Sequence, residues 1–220
     1  MLEAKFLLLL LKGIGETLYM TLVSTAAAYA LGIPMGVVLY ITAKGSIRPN
    51  AALNGALGVV VNTLRSVPFL ILLVAVIPVT RFIVGTSLGS TATIVPLVIG
   101  AAPFVGRMVE ASLREVDSGV IEAGRSMGAS LSQLIFRVLL PEAAPSLISG
   151  AAIATTTILG YSAMAGFVGG GGLGTIAINY GYYQYDTGVM LVTVVLLVLI
   201  VQLLQSIGNG VARRIDKRGK

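Results

Sequence analysis

The chain has 220 residues, of which 56% are hydrophobic and 11% charged, with a net charge of +6 and a mean hydropathy of +0.95. Soluble domains carry about 25% charged residues, so too little polar surface is left to cover a water-exposed globule, and disorder, which needs low hydrophobicity and high charge, is excluded as well. Cysteine and histidine are both absent, which removes disulfides, thiolate nucleophiles, the commonest metal ligand and the commonest general base, and with them most enzyme readings.

Residues 1–12 read as a short extracytoplasmic segment. Lys5, the run from Phe6 to Leu11 and the later Ala28-Tyr29-Ala30 loosely imitate a cleavable signal. Lys12, Gly13, Gly15 and Glu16 interrupt that run, and apolar sequence continues to Ile41, so the segment is expected to lead into a first span. Five apolar spans follow at about 17–41, 53–79, 91–109, 146–168 and 187–208. Each is long enough for a helix to cross a hydrocarbon core of ~30 Å, and the expected class is an all-α integral membrane protein with five transmembrane helices.

In the first span, Gly32-x-x-x-Gly36 fits a close helix contact with no particular partner indicated. Pro34, Pro68, Pro96 and Pro103 each remove a backbone donor within a span. The second span holds Arg65 near its middle, beside Asn62, Thr63 and Ser66. An intramembrane charge is costly unless it snorkels, pairs or faces water. Arg65 is therefore expected to face a water-filled cavity or to pair with an acid such as Glu110. The other reading starts the span near Val67, but Val67 to Thr80 is too short to cross alone.

The fourth span is rich in small residues: from Ser146 to Val168, fourteen of twenty-three are Gly, Ala, Ser or Thr. Plain helix packing and the lining of a pathway both account for this. The tract Gly169 to Gly174 then reads as a flexible outer loop or a hinge beside a gate. It is no nucleotide fingerprint, because it follows an apolar span and not a soluble strand. In the last span, fifteen of the nineteen residues from Val189 to Ile207 are Val, Leu, Ile or Met, which suits a lipid-facing helix.

With the C-terminus placed in the cytoplasm, eleven of fifteen Lys and Arg fall on that side: Lys44, Arg48, Arg107, Arg114, Arg125, Arg137, Arg213, Arg214, Lys217, Arg218 and Lys220. Lys5, Lys12 and Arg81 fall outside. The reverse orientation would invert the ratio, against the positive-inside bias. The expected topology therefore has the N-terminus outside and residues 209–220 as a basic cytoplasmic tail. The positive charge is an orientation signal, and no nucleic-acid partner is needed to explain it.

The cytoplasmic loop 115–141 is the most patterned segment. Ser118 is expected to cap a short helix carrying Glu122 in its early turns, where the helix dipole favours a carboxylate. Met127 is expected to be exposed, and Gly128 to stop the helix in a left-handed conformation. Ser130 to Gln133 has capping-box form, an apolar run follows to Leu140, and Pro141 is expected to close that second helix. The product is a rigid projection suited to mechanical contact.

The stretch Glu122-Ala123-Gly124, Gly128 and Val138-Leu139-Leu140-Pro141 resembles the EAA signature of ABC-importer permeases. Gly124 replaces the second Ala of that pattern and Val138 its Ile. The resemblance covers about 13–204 and implies a type I ABC-importer permease fold. Within that family the chain is most similar to methionine-uptake permeases, through Arg65-Ser66-Val67-Pro68-Phe69, Thr80 to Ser87, Gly100 to Phe104, Gly160 to Met164 and Tyr180-Gly181-Tyr182. The resemblance implies a bacterial cytoplasmic (inner) membrane complex of this chain with a second copy of itself, two ABC ATPase subunits and an extracytoplasmic methionine-binding lipoprotein. No cofactor is expected on this chain; ATP and Mg belong to the ATPase. Glu122, Ala123, Gly124, Met127, Gly128 and Pro141 are the implied ATPase-coupling residues, with Met164, Tyr161 and Ser162 at the pathway and its gate.

The residues independently require an outside energy source for active transport, because no phosphate-loop motif is present. The leading expectation is the membrane subunit of an ATP-driven methionine importer. A permease for another amino acid or a small organic ion is the first alternative. An ion-coupled secondary transporter or channel would call for intramembrane carboxylates, whereas Glu3, Glu16, Glu110, Glu115, Asp117, Glu122, Glu142, Asp186 and Asp216 sit at or outside span ends. An intramembrane enzyme has few candidate groups, and no catalytic or metal-binding residue is predicted.

Overall fold

The computed structural model describes residues 2–215, so Asp216, Lys217, Arg218 and Lys220 of the basic tail lie outside the described residues. Helix α1, Leu2–Thr42, runs without a break through Lys12 to Glu16 and is about 60 Å long. Its Gly32 and Gly36 lie against Val105, Gly106 and Val109 of helix α5, Ser90–Arg114; a methyl built on Gly36 would come 2.5 Å from the Gly106 carbonyl oxygen. The small-residue pair thus serves an intramolecular helix contact.

After α1 the chain turns through Gly45, and Asn54 ties the turn down by donating to the Leu39 carbonyl and the Thr42 hydroxyl at 2.7 and 3.0 Å. Helix α2, Ala51–Ser66, starts on an Asn50 cap whose side chain accepts from the Leu53 N–H at 3.0 Å. The second span is not one straight helix. Pro68 lacks an N–H and biases Val67 away from the helical region, so the chain extends there and helix α3, Phe69–Ala75, departs at 102°. Helix α4, Ile77–Val84, follows and ends on left-handed Gly85. Among the described residues four helices are long and apolar enough to cross a membrane, five when the bent pair is counted as one span.

Helix α5 is the centre of the core. Leu97, Ala101, Val105, Val109 and Leu113 recur every four residues and are buried on one face, against α1 and helix α8, Leu140–Met164. Before α8 come helix α6, Ser118–Ser126, the single turn α7, Leu131–Gln133, and a π-helical segment, Leu134–Leu139. Pro141 does not close the second helix as expected. The helical path continues to Met164, because Pro141 sits in the first turn of α8 just past the wide π turn, where its ring and missing N–H are tolerated.

A short 3₁₀ turn, Ala165–Val168, leads to helix α9, Gly172–Ile176, a second π turn, Ala177–Tyr182, and helix α10, Thr187–Ile215. The glycine tract between α8 and α9, expected as a flexible loop or a hinge, forms a hydrogen-bonded turn. Gly169, Gly171 and Gly172 hold positive φ of 76°, 87° and 73°, which glycine adopts without strain. The N–H groups of Gly172 and Leu173, orphan donors at the start of α9, are accepted by the Glu16 carboxylate at 2.7 Å and the Thr17 hydroxyl at 2.9 Å of α1. Gly170 is held by the Thr93 hydroxyl, and Gly89 donates to the Gly169 carbonyl. On α10, Leu191, Val195, Leu199 and Leu203 are exposed, a row of aliphatics suited to acyl chains.

Candidate functional site

Helix α6 is a nine-residue helix fixed at both ends. Asp117, not Ser118, is its cap: the carboxylate accepts from the Gly119 N–H at 2.7 Å, and Ser118 is the first helical residue. A carboxylate here gains from the helix dipole as well as from the hydrogen bond. Ile121 and Gly124 face inward onto the π turn. A methyl built on Gly124 would lie 2.9 Å from Leu134 Cδ2 and 3.8 Å from Val138 Cγ2, so glycine at this place lets α6 sit closer to its support than alanine would.

The other side of α6 is open. Glu122, Ala123 and Arg125 are exposed, and Met127 is 83% exposed at the helix end. The stop is a Schellman motif: Ala129 N–H donates to the Gly124 carbonyl at 3.1 Å and Gly128 N–H to the Arg125 carbonyl at 3.0 Å, with Gly128 at φ 77°. Two residues on, Ser130 and Gln133 form the reciprocal capping box. Pro141 stands apart from this projection, in the first turn of α8.

At the end of α5 lies a charge cluster. Glu110 is buried and accepts from Arg107 and Arg114, each at 2.7 Å. Arg107 also donates to the Asn62 side-chain oxygen of α2 at 3.0 Å. The expected Arg65–Glu110 pair is therefore not formed, because Glu110 is already saturated by two guanidinium groups on its own helix. That pairing was visible in the spacing, since Arg107 and Arg114 stand three residues before and four after Glu110, the helical neighbour distances. The one deeply buried acid among the described residues is thus neutralised by charge partners, unlike a proton- or ion-coupling carboxylate.

Arg65 instead lines a cavity of about 150 Å³ at the α2–α3 bend, with Phe69, Leu72, Gly100, Phe104 and Tyr161 around it. Tyr161 of α8 stacks on Phe69 of α3 with ring centroids 4.3 Å apart and planes 6° from parallel. Nothing in the sequence signalled this pair, whose members are far apart along the chain. Met164 is one helical turn beyond Tyr161 on the same side and is 46% exposed. Ser162 is not brought to that surface: it is buried and its hydroxyl donates to the Leu159 carbonyl at 2.8 Å. Among the described residues no cluster of acids could hold a metal ion.

Residues 28–218 match the family model described as "Binding-protein-dependent transport system inner membrane component". The chain is 55% identical over 210 residues, 96% of its length and 93% of the relative's, to a probable D-methionine transport system permease protein of Vibrio cholerae. It is 48% identical over 203 residues, 92% of its length and 91% of the relative's, to the methionine import system permease protein of Bacillus subtilis. Among solved structures, an inward-facing conformation of the MetNI methionine ABC transporter contains a chain that superposes with a TM-score of 0.95 at 50% identity. That match covers 97% of this chain and 99% of the other.

Proposed function

This chain belongs to the binding-protein-dependent transport system inner membrane components, and from that premise we propose that its cargo is methionine and that α6 is its point of attachment to an ATPase. The protein is the membrane permease subunit of an ABC importer and performs no ATP hydrolysis itself. Methionine is favoured because relatives at 55% and 48% identity, matched over more than nine-tenths of the chain, are both named for methionine transport.

The observation that carries the coupling role is the geometry of α6. A nine-residue helix is fixed at one end by the Asp117 cap and at the other by a glycine stop, with Glu122, Ala123 and Met127 on its outer side. Such a body can be pushed without deforming. Its inner side rests on Leu134, and Leu134 continues through the π turn into α8, whose far end carries Tyr161 and Met164. A movement of α6 is thus delivered along a continuous helical path to the side chains that line the proposed pathway. Met164 and Tyr161 serve there as gate and wall; Ser162 supports them from the buried side.

In this reading the chain pairs with a second copy of itself, two ATPases that bind ATP and Mg, and an extracytoplasmic methionine-binding lipoprotein. The N-terminus stands outside and the tail in the cytoplasm. Reconstitution of this assembly in vesicles tests the reading: methionine should accumulate only with ATP in the ATPase compartment and with the binding protein opposite. Uptake of some other ligand that methionine fails to compete with would reject the substrate. Orientation is read separately with single cysteines in this cysteine-free chain. Lys5→Cys should react with an impermeant maleimide from outside and Arg214→Cys only after permeabilisation; the opposite pattern would invert the topology.

A further inference from the structure

The cavity at the α2–α3 bend combines three features. The first is Arg65, which makes no hydrogen bond or ion pair with any other described residue. Asn62, one helical turn before it, is engaged by Arg107, and the Ser66 hydroxyl donates to the Asn62 carbonyl. Arg65 is exposed in the last turn of α2, and proteins keep an unpaired guanidinium within a membrane span where it meets water or an anionic ligand. The second is the aromatic wall made by the stacked Phe69–Tyr161 pair with Phe104 beside it. The third is room: Gly100 lies where a methyl would stand 3.2 Å from Leu72 Cδ2 and 3.3 Å from the Phe69 ring, so a larger residue would narrow the space.

We propose that this cavity is a substrate subsite within the permease, in which Arg65 holds the carboxylate of an apolar amino acid and Phe69, Phe104 and Tyr161 receive its side chain. The guanidinium fork matches a carboxylate with two parallel N–H donors. A thioether gains further from the edges of aromatic rings, which attract polarizable sulfur. The volume of about 150 Å³ is well below the roughly 300 Å³ at which pockets for drug-sized ligands begin. That volume is on the scale of a single amino-acid side chain. The bend places the subsite between the two halves of a broken span, where the backbone is free of an unbroken helical ladder and side chains from α3, α5 and α8 converge. A site of this kind gives the permease a selectivity of its own, read after the binding protein has released its cargo.

This inference rests on the methionine-import reading, and its test is arranged so that the two can fail separately. Photo-methionine, a diazirine analogue, is crosslinked to the purified permease–ATPase complex without binding protein, and labelled residues are mapped by mass spectrometry. The expected label falls on Phe69, Leu72 or Phe104, is displaced by excess methionine, and resists methioninol, which lacks the carboxylate. Arg65→Gln should reduce the label about tenfold, the loss expected for a charge-assisted pair. Arg65→Lys should restore part of it. Arg81→Gln, a substitution outside the cavity, should leave it unchanged.

Wild-type complex that imports methionine yet labels only lipid-facing residues of α10 overturns the subsite and leaves the import reading standing. Label in the cavity that is equal in wild type and Arg65→Gln, or equally displaced by methioninol, overturns the role of Arg65. Absence of methionine import by the wild-type assembly rejects the import reading itself. The Arg65-dependence of the label is then read with other apolar amino acids as competitors, and failure of all of them rejects the subsite too.

Discussion

Gly128 offers the sharpest test of α6 as a lever. Its φ of 77° lies in the left-handed region, and a methyl built on it would meet no atom within 4 Å. The cost of any replacement is therefore conformational and not steric. That cost is roughly 1–2 kcal/mol for an ordinary L-residue, least for Asn, whose side chain tolerates this region, and greatest for a β-branched residue. The competing state is an unwound last turn of α6, in which the Ala129–Gly124 and Gly128–Arg125 hydrogen bonds are lost. At about 1.4 kcal/mol per tenfold, Gly128→Asn should weaken coupling about twofold or less, Gly128→Ala about fivefold, and Gly128→Val about thirtyfold. Coupling is read as methionine transported per ATP hydrolysed in the reconstituted complex, with assembly measured in parallel by co-purification of the ATPase. A ranking by side-chain volume instead of left-handed tolerance, with Asn as harmful as Val, would refute the conformational argument. Wild-type coupling in Gly128→Val would refute the lever.

Glu110→Ala should lower stability by about 2–4 kcal/mol, because it strips the partly buried Arg107 of its carboxylate, while the more exposed Arg114 is rehydrated at little cost. Glu110→Gln should lose less. Thermal unfolding of the detergent-solubilised complex in a double-mutant cycle with Arg114→Gln checks both, and equal melting of Glu110→Ala and wild type would contradict the clamp. Gly174→Ala should prevent assembly, since its methyl would press on the Ala163 backbone, which cannot move aside as a side chain would. Gly15→Ala, where nothing lies within 4 Å, serves as the tolerated control in the same membrane-yield assay. Met164→Ala should enlarge the proposed gate and raise passive methionine leak in ATP-free vesicles; unchanged leak would remove Met164 from the gate.

The presence of four to five apolar spans was legible because span length is a property of local sequence, and so was the stop at Gly128, since glycine adopts the left-handed conformation that ends a helix. The close α1–α5 contact was half legible: Gly32 and Gly36 announced a near approach, but only the fold says that Gly106 and Val109 are what they approach. The cap of α6 was misplaced by one residue because Asp117 and Ser118 are both good caps, and the choice depends on the φ and ψ of the residue before the helix. The hydrogen bonding of the glycine tract was not legible for a different reason. Composition says that Gly169 to Gly174 can bend, while the acceptors that hold the turn are Glu16 and Thr17, more than 150 residues away in sequence. Arg65 was expected to face a cavity or to pair with an acid such as Glu110, and of these it lines a cavity. Glu110 is taken by its helical neighbours Arg107 and Arg114, since pairs at three and four residues need no loop closure to meet.

These long-range ties join some elements more firmly than others. Glu16 and Thr17 fasten α9 to α1, and Gly32 and Gly36 fasten α1 to α5, so α1, α5 and α9 form one interlocked frame. Against it, α6 rests on the π turn through Gly124 and Leu134, and the bend at Val67–Pro68 lets α3 follow Tyr161 without dragging α2. Packed elements shift between discrete arrangements instead of deforming smoothly. The stacked Phe69–Tyr161 pair is the join between the α8 path and the broken span, so a displacement started at α6 would be felt first where Arg65 faces the cavity. That places the proposed selectivity and the proposed drive at opposite ends of one helical path, with the interlocked frame as the fixed reference between them.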